Sequence, residues 1–142
     1  MRIKTFSGKR IYIFGGSSGI GLAAARQLAG MGAHLVLFAR DKRKLEKALG
    51  EVRKAGKDPA QPAGVFSMDV SDREQVFKAV AEAATSFGPP DVLINCAGRA
   101  IPRCFADISE NQLQETLAIN LCGTWHAIAA SLPYMKERGG HI

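Results

Sequence analysis

The chain has 142 residues, of which 46% are hydrophobic and 23% are charged, a composition typical of one globular domain with enough apolar side chains for a core. No apolar run approaches the ~20 residues that span a bilayer, and the first residues lack the apolar segment of a signal peptide. The net charge is +6, while the three cysteines and three histidines are scattered without metal-ligand spacing, so we expect reduced thiols, a cytoplasmic location and no metal site.

The first strand-like run, Arg10–Phe14, is followed by Gly-Gly-Ser-Ser-Gly-Ile-Gly at residues 15–21 and by a helix-like run, Gly19–Met31. Strand, glycine turn and helix form the context in which free backbone N–H groups hold a phosphate. The same stretch fits Gly-x-Ser-x-Gly, the nucleophile elbow of serine hydrolases, with Ser17 as the nucleophile. Taken alone, the stretch is a nucleotide cradle, a hydrolase elbow or a structural turn.

The second strand-like run, His34–Ala39, leads into a basic helix-like run, Lys42–Ala55. Residues 40–57 hold eight basic side chains against three acidic ones, and this local positive field favours a bound anion. Most of these charges lie on the outer face of an amphipathic helix. Arg40 and Lys44 stand at the strand-to-helix junction and are the candidates to contact the anion. The alternative is a nucleic-acid interface over this segment, but we expect no nucleic-acid partner.

Two further strand-like runs alternate with two further helix-like runs, in the order Gly64–Met68, Asp72–Phe87, Asp91–Asn95 and Glu110–Glu137. Ser71 with Glu74, and Ser109 with Gln112, predict capping boxes at the starts of these two helices. Pro133 is expected to kink the last helix near its end.

The regular alternation of strands and helices predicts an α/β fold, a Rossmann-type doubly wound parallel sheet. Right-handed crossovers give the strand order 3-2-1-4. In such sheets a ligand binds at the carboxyl ends of the strands, where the strand order reverses. Residues 15–21 and the residues after Asn95 lie at that point.

Four motifs of this chain resemble those of the short-chain dehydrogenase/reductase superfamily, and they come in the family's order. They are Gly15-x-x-x-Gly19-x-Gly21 after strand 1, Asp69-Val70 at the end of strand 3, Asn95-Cys96-Ala97-Gly98 at the end of strand 4, and Asn120 in the fourth helix. The family usually has Asn-Asn-Ala-Gly in place of the third motif. A hydrolase would explain the first motif alone, so the resemblance favours the nucleotide cradle.

The resemblance implies a role for each motif. The glycine stretch is implied to hold a pyrophosphate, through Gly15, Ser17, Ser18, Gly19, Ile20 and Gly21. Asp69, followed by Val70, is implied to accept a hydrogen bond from an adenine amino group. The nicotinamide-ribose side is implied to be lined by Asn95, Ala97 and Gly98. The catalytic role implied for Asn120 is to hold a water in a proton relay.

Ala39 and Arg40 predict which dinucleotide is bound. A carboxylate at the end of the second strand typically binds the ribose 2′-hydroxyl of NAD, and this chain has Ala39 there. Arg40 and Lys44 favour a 2′-phosphate, which a guanidinium group can grip with two parallel bonds. Asp41 is better assigned as the helix N-cap. We therefore predict NADP(H) as the cofactor in preference to NAD(H).

A finer resemblance points to a substrate class. The motifs, together with Tyr134-Met135-Lys136-Glu137-Arg138, resemble those of the 3-ketodihydrosphingosine reductases, which reduce a long-chain keto-amine with NADPH. The 3-oxoacyl-carrier reductases share most of the same residues. The resemblance therefore implies an NADPH-dependent oxidoreductase of lipid metabolism that reduces a small-molecule ketone to an alcohol.

The family's catalytic Ser and Tyr-x-x-x-Lys have no match in this sequence, because neither Tyr12 nor Tyr134 is followed by lysine at the fourth position. The resemblance implies that these residues follow a fifth strand, so we expect an incomplete sheet with that strand only begun near His141. We therefore expect residues 1–142 to form a single NADP(H)-binding domain, the N-terminal part of a longer reductase, and to be inactive alone. The alternative is a nucleotide-binding module without catalysis. The resemblance also implies a homo-oligomer that associates through the fourth helix.

Overall fold

The computed structural model describes residues 6–142, so the first five residues of the predicted domain lie outside the described part. Within that range, one parallel sheet has the strand order β3-β2-β1-β4, with strands β1 (Arg10–Phe14), β2 (His34–Ala39), β3 (Ala63–Ser67) and β4 (Val92–Asn95). A parallel bridge joins Val92 to His141, where the expected fifth strand begins. The predicted α/β fold and its strand order are confirmed.

Helices connect the strands and cover both faces of the sheet. They are α1 (Gly19–Gly30), α2 (Lys42–Ala55), α3 (Arg73–Phe87), a 3₁₀ turn (Phe105–Asp107), α4 (Glu110–Leu117) and α5 (Gly123–Met135). The predicted helix-like run Glu110–Glu137 is helical from Glu110 to Met135, but a π-helical segment at Ala118–Cys122 separates α4 from α5. Pro133 lies in the last turn of α5, which ends at Met135.

Two of the predicted N-terminal helix caps are confirmed, and a third is wrong. Asp41 caps α2 by accepting a hydrogen bond from Lys44 N, and Ser109 and Gln112 form the predicted capping box of α4. The box predicted from Ser71 and Glu74 is wrong. The N-cap of α3 is Asp72, because the Ser71 hydroxyl donates to the Asp69 carboxylate at 2.6 Å instead.

Successive residues of each strand pack on opposite faces of the sheet, which gives the core two halves. On one face, Ile13 and Leu37 pack beneath α1 and α2 with buried residues such as Leu45. On the other face, Phe14 and Phe38 pack beneath α3 and α5, with their rings stacked at 4.5 Å between centroids. The strands are therefore apolar on both sides, as strands covered on both faces must be.

Asp91 fastens β4 to β1 at the amino ends of the strands. Its carboxylate accepts hydrogen bonds from Arg10 N at 2.9 Å and from Arg138 Nη2 at 3.3 Å. Burial acts to raise the pKa of Asp91, but the hydrogen bonds and positive charge of Arg10 outweigh it and hold the pKa below its ordinary value. These contacts of Asp91 fix the register of β4 against β1. They thereby set the position of residues 95–98 at the carboxyl ends of the strands.

No helix within residues 6–142 is both long enough and apolar enough to cross a membrane.

Candidate functional site

A cleft of about 350 Å³ opens at the carboxyl ends of the strands, where the order reverses between β1 and β4. Five chain segments converge on it: the glycine stretch after β1, the junction of β2 with α2, the residues after β3, the residues after β4, and the π-helical segment. The cleft is lined by Gly15, Ser17, Ser18, Gly19, Ile20, Phe38, Ala39, Arg40, Asp41, Lys44, Met68, Val70, Cys96, Ala97, Gly98 and Ile119.

Most of the residues predicted for cofactor binding line this cleft, including Arg40, Lys44 and Val70. Four predicted residues are not among its lining residues, namely Gly21, Asp69, Asn95 and Asn120. Sequence analysis missed Phe38, Met68 and Ile119. Phe38 and Met68 directly precede Ala39 and Asp69, which are predicted to lie at strand ends. That position near a strand end is the sequence signal that could have placed them in the cleft.

The glycine stretch works through backbone contacts that a side chain would block. Gly15 has φ of +79°, and a Cβ there would lie 2.5 Å from the Ala97 nitrogen after β4. A Cβ at Gly21 would overlap the Gly15 carbonyl oxygen. The start of α1, the turn after β1 and the residues after β4 therefore meet backbone to backbone. Gly19 has φ of +54° with open space beside it, as a residue facing a cleft requires.

The first turn of α1 is left available to an anion. Ser18 is the N-cap, but among the described residues its side chain makes no capping hydrogen bond. Residues 19–22 are Gly-Ile-Gly-Leu and carry no charge. The free N–H groups of this turn, with the positive end of the helix dipole, therefore face the cleft without a competing carboxylate. Ile20 is 81% exposed at the same place.

The β2–α2 junction supplies the positive charge of the cleft. Arg40 and Lys44 are exposed, and the Arg40 backbone carbonyl accepts a hydrogen bond from Ser67 Oγ at 2.9 Å. Arg40 Nη1 lies 3.8 Å from Asp69 Oδ2. Asp69, placed just outside the cleft lining, is held in turn by Ser71. The residue implied to contact adenine therefore pairs with the residue predicted to contact a 2′-phosphate.

The residues after β4 form the other end of the cleft. Burial raises the pKa of the Cys96 thiol, which lines the cleft where the family usually has asparagine. Asn95 Oδ1 is buried and has no hydrogen-bond partner among residues 6–142. Asn120 lies in the π-helical segment, where its side chain accepts from Arg99 N and donates to Arg99 O, both at 2.8 Å. Asn120 therefore holds the backbone just after Gly98.

None of the three histidines is among the residues that line the cleft beside Ser17. A hydrolase using Ser17 needs a histidine base, but His34 and His141 lie at the amino ends of the strands, and His126 Nδ1 is 3.0 Å from the Val70 carbonyl oxygen. Tyr12 is fully buried, its hydroxyl donates to Gly88 O at 2.9 Å, and burial raises its pKa above the ordinary value.

Within residues 6–142, no group of three His, Cys, Asp or Glu side chains is arranged to hold a metal ion.

Comparison with known proteins agrees with the fold. A family model described as short chain dehydrogenase matches residues 9–142. The chain is 35% identical over 132 residues to a 3-ketodihydrosphingosine reductase of Bos taurus. The aligned region covers 92% of this chain and 40% of that protein. This relative confirms the resemblance that the motifs predict.

Solved structures give the same result. L-Sorbose reductase from Gluconobacter frateurii, complexed with NADPH and L-sorbose, has a TM-score of 0.86 and 30% identity, covering 96% of this chain and 52% of that one. NAD⁺-bound xylitol dehydrogenase has a TM-score of 0.88 and 30% identity, covering 95% of this chain and 51% of that one. The chain thus spans about half the length of these structures and 40% of the bovine relative.

Both dinucleotides therefore occur among similar structures. The family match covers nearly the whole chain, and the strand order agrees with it. The chain belongs to the short-chain dehydrogenase family.

Proposed function

We propose that this chain is the cofactor-binding domain of an NADPH-dependent reductase that converts a ketone into an alcohol. The observation that carries the proposal is the pair Arg40 and Lys44 on the cleft that also holds the glycine cradle. Ala39 stands where a carboxylate would select the ribose 2′-hydroxyl of NAD. A 2′-phosphate would find two cations there.

The residues fit a dinucleotide phosphate along the whole cleft. Gly15 and Gly21 leave the close backbone approach that a Cβ would fill, and the first turn of α1 offers free N–H groups to a pyrophosphate. Bound nicotinamide would supply a hydride to the substrate carbonyl carbon. Ala97 and Gly98 are small and leave room for the ribose, while Asn120 positions the backbone that follows them. We assign the proton donor to residues outside this sequence, because neither tyrosine has a lysine four positions on.

For the substrate we propose 3-ketodihydrosphingosine, with a 3-oxoacyl group as the second candidate. The bovine relative supports the first, since its name states that substrate. The alternative reading, a nucleotide-binding module without catalysis, predicts that NADPH binds but that no protein containing this chain reduces a ketone. Turnover of 3-ketodihydrosphingosine by residues 1–142 alone would contradict our assignment of the proton donor. The cytoplasmic location stays a prediction.

Arg40→Ala is expected to weaken NADPH binding by about 10-fold to 100-fold, because a charge-assisted hydrogen bond contributes about 1.5–3 kcal/mol. NADH binding is expected to change by less than about threefold, since NADH has a hydroxyl in place of the phosphate. Titration of both cofactors, followed by nicotinamide fluorescence, measures the two dissociation constants.

The matched control is Lys57→Ala, which removes a cation of the same basic segment that does not line the cleft. We expect it to leave both dissociation constants unchanged within about twofold. Equal affinity of the wild-type chain for NADPH and NADH would contradict the proposed cofactor. Strongly salt-dependent DNA binding that NADPH does not displace would favour the nucleic-acid alternative.

We also propose that the chain forms a homo-oligomer through α4 and α5. Four large apolar side chains are exposed there in four-residue steps, at Leu113 (49%), Leu117 (41%), Leu121 (65%) and Trp125 (58%). Leu113 and Leu117 lie on one side of α4, and exposed apolar side chains continue through the π-helical segment to Trp125 in α5. We call these four side chains the apolar stripe. A second copy presenting the same stripe would cover it in a two-fold interface.

Leu121→Glu is expected to shift the chain to a monomer, because it places a charge within the apolar stripe. Sedimentation velocity at several concentrations measures the mass. The control is Phe105→Glu, which alters a side chain that is 93% exposed and lies outside the stripe. A wild-type chain that remains monomeric at high concentration, or an oligomer that Leu121→Glu leaves intact, would refute the interface.

A further inference from the structure

We propose that Asp69 limits the preference of this site for NADPH over NADH by competing with the 2′-phosphate for Arg40. The inference rests on the proposed function, because it takes Arg40 as the residue that binds the 2′-phosphate. It gives Asp69 a role in cofactor selectivity that is separate from any contact with the adenine base.

The two side chains are brought together by the sheet. The last paired residues of β2 and β3 are Ala39 and Ser67, so Arg40 and Asp69 follow neighbouring parallel strands at the same edge. Arg40 Nη1 lies 3.8 Å from Asp69 Oδ2. The Asp69 side chain is 34% exposed and that of Arg40 is 65% exposed, so the carboxylate is the more enclosed partner.

Hydrogen bonds hold Asp69 in this position. Asp69 Oδ1 accepts from Ser71 N at 2.9 Å and from Ser71 Oγ at 2.6 Å, and Asp69 N donates to Gln75 Oε1 at 3.0 Å. Oδ2 is the oxygen that faces Arg40. Ser67 holds the Arg40 backbone, whereas the Arg40 side chain is long and 65% exposed, so other rotamers are sterically open to it. The fixed carboxylate therefore attracts a movable guanidinium group.

A 2′-phosphate that binds Arg40 must share the guanidinium group with this carboxylate or displace it. In either case the negative charge of Asp69 opposes the negative charge of the phosphate. NADH carries a neutral hydroxyl at that place and meets no such opposition. Any contact of Asp69 with the adenine base is common to both cofactors, so it cancels in the ratio of the two dissociation constants. The ratio therefore isolates the effect of the Asp69 charge on the 2′-phosphate, and the Arg40→Ala background separates competition for Arg40 from direct repulsion.

Asp69→Asn is expected to raise the preference for NADPH over NADH by about threefold to fivefold, the size of one exposed ion pair. Asparagine keeps an oxygen that accepts the Ser71 bonds while it removes the charge. Asp69→Ala provides a second charge-removing variant and is expected to move the ratio in the same direction, even where both affinities fall. The matched control is Asp72→Asn, which removes a carboxylate of the same loop that caps α3 and makes no ion pair with Arg40 among the described residues.

The measurement is titration of the full chain with NADPH and NADH for each variant, alone and combined with Arg40→Ala. Competition for Arg40 predicts that the gain from Asp69→Asn falls below about twofold in the Arg40→Ala background. An undiminished gain there would show direct repulsion of the phosphate and would overturn the role of Arg40. An unchanged or lowered ratio in Asp69→Asn, with Arg40→Ala still abolishing the preference, overturns this inference and leaves the proposed function standing. A wild-type chain without a preference overturns both.

Discussion

Gly21→Ala is expected to abolish NADPH binding and to lower the free energy of unfolding by about 2–3 kcal/mol, the range of an overpacked site. The added Cβ would overlap the Gly15 carbonyl oxygen, and a backbone atom cannot move aside as a flexible side chain can. Relief requires α1 to move away from the turn after β1, which opens the cradle. Urea denaturation and NADPH titration measure the two effects.

Gly50→Ala is the control, because it makes the same substitution at another glycine inside a helix. Gly50 lies in α2, and apart from its chain neighbours and the nearby backbone of its own helix no atom lies within 4 Å of the position of a Cβ, so alanine is expected to stabilise the fold by about 0.5–1 kcal/mol. The opposite signs of the two glycine variants would locate the cost in the contact with Gly15. Wild-type affinity for NADPH in Gly21→Ala would refute the cradle.

Phe38→Ala is expected to lower the free energy of unfolding by about 3–5 kcal/mol, the usual cost of removing a buried aromatic ring. The Phe38 ring is fully buried, stacks on Phe14 at 4.5 Å and lies 5.7 Å from the Phe66 ring. Because Phe38 O also accepts a hydrogen bond from Gly15 N at 2.8 Å, collapse around the cavity would disturb the glycine turn. Denaturation curves and NADPH titration test both consequences.

Phe105→Ala is the matched control for Phe38→Ala. It removes the same ring from a side chain that is 93% exposed, so stability is expected to stay within about 0.5 kcal/mol of wild type. If Phe38→Ala lowered the free energy of unfolding by less than about 1 kcal/mol, the stacked rings of Phe14, Phe38 and Phe66 would not be the main source of stability in this half of the core.

The sequence predicts the fold well because its strands are covered on both faces. Such strands appear as continuous apolar runs, and β1 and β2 have the predicted bounds. The ends of the other elements depend on contacts that the sequence does not display. Ser71 has the residue type and spacing of an N-cap, but its hydroxyl is drawn to Asp69, and Asp72 takes the cap instead.

The same limit applies to the candidate site. Glycines and charged residues carry recognisable patterns, whereas Phe38 and Met68 look like ordinary core residues until the cleft is seen to open at their strand ends. The π-helical segment is also invisible in the sequence. It accompanies a two-way hydrogen bond between Asn120 and the Arg99 backbone, 21 residues away, which periodicity within one helix cannot reveal.

That π-helical segment sets the rotational phase between α4 and α5. Each residue of an α-helix turns the chain by about 100°, so the wider turn at Ala118–Cys122 decides which side of α5 meets the sheet. The present phase places Gly123 against Val70, where a Cβ would lie 2.8 Å from Cγ1, and places His126 on the Val70 carbonyl. Removing a single residue from the segment would swing this contact away by a quarter turn. The number of residues in the π-helical segment therefore determines the shape of the cleft wall as much as their identity does.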